Sequence, residues 1–134
     1  MSDIYFLKND QSSIDFEVQV GTIGNVGTVA KKFRAGNSGV QIVGTSSSSN
    51  GGDIETTNLG ISLDLIGSVL VVTTGIILGK KDDLNQAFEN LFMAVTLTGG
   101  LDGKQVYKIN DTEKSKFEDT RSIVAAKAIK LQGH

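Results

Sequence analysis

The chain has 134 residues, 13 Lys and Arg against 15 Asp and Glu, one His and neither Cys nor Pro, with 39% apolar and 21% charged residues. At this length a single β-rich domain over residues 1–134 can bury a core without staples, and the lack of Cys excludes disulfides, thiolate zinc sites and Cys nucleophiles. One His, at position 134, leaves no internal imidazole for a His-based triad, and a net charge of -2 supplies no basic field for a polyanion.

Residues 1–20 carry Asp3, Lys8, Asp10, Asp15 and Glu17 where a secretory signal needs an apolar core. The expectation is a chain made in the cytoplasm without a signal peptide. Ile14, Phe16, Val18 and Val20 alternate with Asp15, Glu17 and Gln19, the period of a strand with one wet face. Gly24-Asn25 tolerates positive φ and predicts a hairpin corner into a strand from Val26 to Phe33. Gly36-Asn37-Ser38-Gly39 repeats the device before Val40, Ile42 and Val43, so the first three strands read as an antiparallel meander.

Ser46 to Ser49 with Asn50, Gly51 and Gly52 form the one low-complexity segment, a surface loop too short to divide domains. Ile61, Leu63 and Leu65 alternate around Ser62 and Asp64, and Val69 to Leu78 is a β-branched run too apolar for an edge. Both are predicted as central strands. Gly75 would mark a bulge or bend, and Val71→Lys would unfold the protein if the run is core. The longest uncharged apolar stretch, between Asp64 and Lys80, is broken by Gly67, Ser68, Thr73 and Gly75 and falls short of the ~18 residues a spanning helix requires, so no membrane span is expected.

Leu84, Phe88, Leu91, Phe92 and Val95 share one helical face, which predicts a helix near residues 83–95 capped by Asp82 or Asp83. Leu101-Asp102-Gly103 supplies a turn, and Val106, Tyr107 and Ile109 a further strand. The C-terminal stretch has two readings. Asn110 with Glu113, or Ser115 with Glu118, would open a helix whose face holds Phe117, Val124, Ala128 and Leu131, which is the favoured reading. Ile123, Ala125, Ile129 and Leu131 would equally line one face of a strand.

Chemistry-bearing motifs fail on spacing. Gly21, Gly24 and Gly27 fit neither the dinucleotide fingerprint nor the phosphate loop, and a hairpin corner explains them. Asp15 with Glu17 and Asp53 with Glu55 are carboxylate pairs on strand spacing, better read as a solvated face than as an acid and base. The register Asp111, Glu113, Ser115, Asp119 departs from a calcium loop, with Lys116 where Gly is needed and Ser122 where a bidentate Glu should close the cage. Lys31, Lys32 and Arg34 are too few for a nucleic-acid surface. No catalytic residue, cofactor or metal site is assigned.

Charge is unevenly spread along the chain. Residues 35–79 hold Asp53, Glu55 and Asp64 alone, whereas residues 1–34 hold eight charges and residues 80–134 seventeen. Depletion of charge accompanies the buried parts of interfaces, and it accompanies central strands as well. The expected fold is mainly β, an antiparallel β-sandwich or barrel, with a jelly-roll winding among the options. The expected function is that of a non-enzymatic structural subunit, which self-assembles or packs with other subunits into a larger particle such as a virion capsid or tail. The alternative is a β-sandwich binding module that recognises carbohydrate or peptide through its loops. In either case the candidate interface or ligand loop is Ser46, Ser47, Ser48, Ser49, Asn50, Asp53 and Glu55.

Overall fold

A computed structural model describes residues 3–34, 39–46 and 51–133. Among the described residues there are ten strands and two short helices. In chain order they are β1 (Asp3–Leu7), β2 (Ser13–Gly21), β3 (Asn25–Phe33), β4 (Val40–Thr45), β5 (Ile54–Ile61), α1 (Ser62–Leu65), β6 (Val69–Ile77), α2 (Leu84–Asn90), β7 (Phe92–Gly100), β8 (Gly103–Lys108), β9 (Lys114–Phe117) and β10 (Ser122–Gly133). They form two sheets. Sheet A has the order β1-β10-β6-β3-β4, with β9 also on β10, and sheet B the order β5-β2-β7-β8. The strands are mostly antiparallel, and the two sheets enclose the core as a β-sandwich.

The pairs β4 with β3, β5 with β2, β6 with β10 and β7 with β8 are all antiparallel, as in a ribbon folded across both sheets. β1 lies beside β10 as an added parallel strand. Among the described residues no helix is long and apolar enough to cross a membrane.

Period-two patterning explains the core. Ile14, Phe16 and Val18 of β2 face Leu70 and Val72 of β6 across the sandwich in one buried cluster with Tyr5, Leu7, Met93, Val95 and Leu97. A second cluster joins Ile76, Leu78, Ile123 and Ala125 to Ala87 and Leu91 around α2. Between the sheets, the hydroxyls of Thr28 and Thr74 lie 2.8 Å apart and satisfy each other, and Thr74 also reaches the Met93 sulfur at 3.0 Å. Buried polar atoms are thereby partnered rather than orphaned.

Several expectations are corrected. The C-terminal stretch is no helix but the 12-residue strand β10, whose odd-numbered residues Ile123, Ala125, Ile129 and Leu131 point inward. Asn110 and Glu113 do form a capping box, but it closes a single 3-10 turn over Asp111–Glu113. Helix α2 stops at Asn90 rather than reaching residue 95, because Phe92 to Gly100 pairs with β2 and the ladder overrides the local helical pattern. Its predicted cap holds, with the Asp83 carboxylate accepting from the Gln86 amide.

The predicted meander holds for β3 and β4, which pair antiparallel, but not for β2; its turn residues Gly36, Asn37 and Ser38 lie outside the described residues. β2 belongs to sheet B and β3 to sheet A, so Gly24, at φ 90°, turns the chain between sheets instead of closing a hairpin. Leu63 and Leu65 belong to the helical turn α1, held where Ser62 Oγ donates to the Lys8 carbonyl at 2.5 Å. β6 is central, between β10 and β3, but Gly75 stays in unbroken register with Val124 and Gly27, so it is no bulge. Val71 faces outward, and its neighbour Val72 fills the core.

Candidate interaction surface

Register assigns each outward residue of sheet A to a row running across β10, β6 and β3. The rows are Ser122, Ile77, Asn25; then Val124, Gly75, Gly27; then Ala126, Thr73, Val29; then Ala128, Val71, Lys31; and Lys130, Val69, Phe33. Lys31 and Lys130 are the charges in all five rows, and both lie toward one end. β4 extends the last two rows with Ile42 and Val40, which are 61% and 54% exposed. Ile77 is also 61% exposed. It stands with Val124 and Asn25 around a shallow trough of about 440 Å³ over Gly75 and Gly27.

The inner side of the same sheet holds charge. Lys32, Lys114 and Lys127 are the buried charged side chains among the described residues, and they belong to β3, β9 and β10. Lys127 lies where the partner of β10 changes from β9 to β1. Its ammonium meets Asp3 at 2.5 Å and Glu113 at 3.0 Å. Burial alone would pull the Lys127 pKa down, but the hydrogen bonds and charges of these two carboxylates outweigh it and leave the pKa raised. Lys114 donates to the Phe88 carbonyl at 2.7 Å and lies over the Phe88 ring at 4.8 Å, which ties α2 to β9.

A tyrosine latch fixes β1 against the β7–β8 turn. Tyr5 Oη donates to the Gly103 carbonyl at 2.6 Å and accepts from the Gly100 amide at 2.7 Å. A Cβ on Gly100 would lie 2.6 Å from the Tyr5 ring, so only glycine fits there. Tyr107 stacks edge-on against Tyr5 and donates to the Ile4 carbonyl at 3.0 Å. Burial raises the pKa of Tyr5, and that of Tyr107 is pushed up to about 12 by burial with Tyr5, Asp3 and Asp102 nearby. Both phenols are neutral at pH 7 and serve as hydrogen-bonding pins.

The candidate residues of residues 46–55 are dispersed. Ser46 continues the ladder beside β3, its hydroxyl accepting from the Thr28 amide at 2.9 Å. Asp53 accepts from the Val20 amide at 2.7 Å and so anchors the entry to β5 on the end of β2. Glu55 is exposed on β5. Ser47, Ser48, Ser49 and Asn50 lie outside the described residues. Asp15 and Glu17 face outward from sheet B, where Asp15 accepts from Asn58 at 3.1 Å. Lys31 and Lys32 point to opposite sides of β3, so the basic cluster is no single patch. Among the described residues no group of three or more acidic or His side chains could hold a metal ion.

The apolar outer face of sheet A escapes a reading along the chain, because its rows combine residues 25–33, 69–77 and 122–130. Its one local trace is a pair of strand glycines, Gly27 and Gly75, that no turn requires. Comparison with known proteins found no matching family model, no matching curated protein and no matching solved structure.

Proposed function

We propose that this protein is a non-enzymatic structural subunit that works by packing against other copies of itself in a larger particle, as the subunits of a virion capsid or tail do. The observation that carries this reading is the outer face of sheet A, five rows deep with two lysines as its charges. A broad apolar face on a folded domain is costly to leave in water, and interface cores are depleted in charge. The loop-binding alternative has weaker support, because Ser46 and Asp53 are engaged by backbone amides.

The test is the mass of the untagged protein by light scattering over a concentration series at low and high salt. The expected result is an oligomer that survives high salt, since an uncharged interface is not screened. A mass of 14.2 kDa at every concentration would refute the proposal.

A further inference from the structure

Gly75 and Gly27 sit side by side on neighbouring strands, in register and without a bulge. Neither has a left-handed backbone, and a Cβ built on either meets nothing within 4 Å. The fold therefore requires neither glycine, although glycine weakens a strand interior. A glycine of that kind marks a place where another surface approaches closely.

From this floor and the charge pattern around it, and resting on the assembly reading above, we infer that a second copy of the chain packs sheet A on sheet A about a two-fold axis crossing the strands at Thr73. Such an axis reverses the order of the rows. Val71 and the stem of Lys31 in one copy then lie over Gly75 and Gly27 of the other, so the bulky fourth row fills the empty second row.

Charge selects this axis over the one along the strands. An axis along the strands would stack the fourth and fifth rows on themselves and gather the Lys31 and Lys130 side chains of both copies at one end. The crossing axis sets Lys31 over Gly27 and Lys130 over Ser122, at opposite ends of the contact. Size agrees as well. With strands about 4.8 Å apart and a rise of about 3.3 Å per residue, the 45 residues in the six strands of sheet A cover about 700 Å² per copy. The pair would bury about 1,400 Å², within the range of about 1,200–2,000 Å² for stable specific interfaces. The contact is isologous, so each copy supplies both a bulky row and a glycine floor.

The chain lacks cysteine, which makes a direct test simple. Thr73→Cys places one thiol at the axis of each copy, and a short bis-maleimide should join them into a covalent dimer. Thr56→Cys, exposed on sheet B, should stay a monomer under the same treatment. Gly75→Val should keep its circular dichroism spectrum and melting temperature, since its side chain enters open space, yet weaken self-association at least tenfold on dilution. Gly75→Ala replaces it if the valine variant loses its fold. If Thr73→Cys gives no crosslink, or the filled-trough variant associates as the wild type does, this arrangement is overturned and the assembly reading stands on the wild-type mass. A wild type that is monomeric at every concentration overturns both.

Discussion

The two sheets of this sandwich distribute charge in opposite ways. Sheet B follows the usual rule, with Phe16, Val18, Val95 and Leu97 inside and Asp15, Glu17, Gln19 and Lys108 outside. Sheet A keeps the apolar interior but adds buried Lys32, Lys114 and Lys127 to it, while its outer face carries half-buried Val29 and Val71 and exposed Ile77 and Ala128. A sheet face with no covering layer gains only about 0.2–1 kcal/mol from each apolar cross-strand pair, whereas a buried lysine carries a larger desolvation cost. Under the proposed packing, the uncharged outer face of sheet A is explained by what it meets rather than by what it needs to fold. Two of the inward lysines have local partners, Lys114 the Phe88 carbonyl and Lys127 the carboxylates of Asp3 and Glu113.

The sharpest way to break the comparison is to place one lysine on each side of β6. Val72 is fully buried, so Val72→Lys should cost about 4 kcal/mol or more and leave no cooperative thermal transition. Val71→Lys, one residue away on the outer face, should change stability by less than about 1 kcal/mol while abolishing self-association. Thermal melts and light scattering on the two variants separate these outcomes. Unfolding of the Val71 variant would show that the outer face is part of the core.

Lys127→Met removes the charge at the clasp and strands two carboxylates. The expected loss is about 2 kcal/mol near neutral pH, below the value for a fully buried pair because Asp3 and Glu113 remain 35% and 22% accessible. The pH dependence has a definite sign. The folded pKa of Lys127 is raised, so its contribution is complete below the ordinary lysine value of about 10.4 and is lost as pH rises through the folded value. Tyr107, raised to about 12, adds a loss of the same sign above the ordinary tyrosine value of about 10. Urea midpoints at rising pH should therefore fall above pH ~10 in the wild type and fall less steeply in Lys127→Met. Equal slopes would remove Lys127 from the account.

What the sequence disclosed was local and periodic. The wet and dry faces of β2, the Asp83 cap and the turn at Leu101-Asp102-Gly103 depend on neighbouring residues and were legible. Partner choice was not. Nothing in residues 14–33 says that β2 and β3 enter different sheets, because pairing is settled by strands as far away as Thr98, the partner of Asp15. In Val69 to Ile77 the apolar run has no alternation, so Val71 and Val72 could not be assigned to faces until register fixed them. Counting charge along the chain did find a depleted segment, but its strands β4, β5 and β6 are divided between the two sheets. The depleted surface joins β6 of that segment to β3, which directly precedes it, and to β10, which lies far beyond it in sequence.

The smallest expected effect completes the comparison. Gln19 faces outward on β2, in register with Ala94, which is itself in register with Lys108 of β8. Gln19→Lys puts the same side chain on sheet B that Val71→Lys puts on sheet A. The new ammonium would stand two strands from Lys108, about 10 Å away and beyond the screening length of about 8 Å at physiological salt. Glu17 lies on the same face of the strand and offsets part of any repulsion. Stability should change by less than about 0.5 kcal/mol, and the solution mass should equal that of the wild type. A lysine tolerated on one sheet and fatal to association on the other would locate the contact on sheet A; equal loss from both would mean that association depends on net charge rather than on a face.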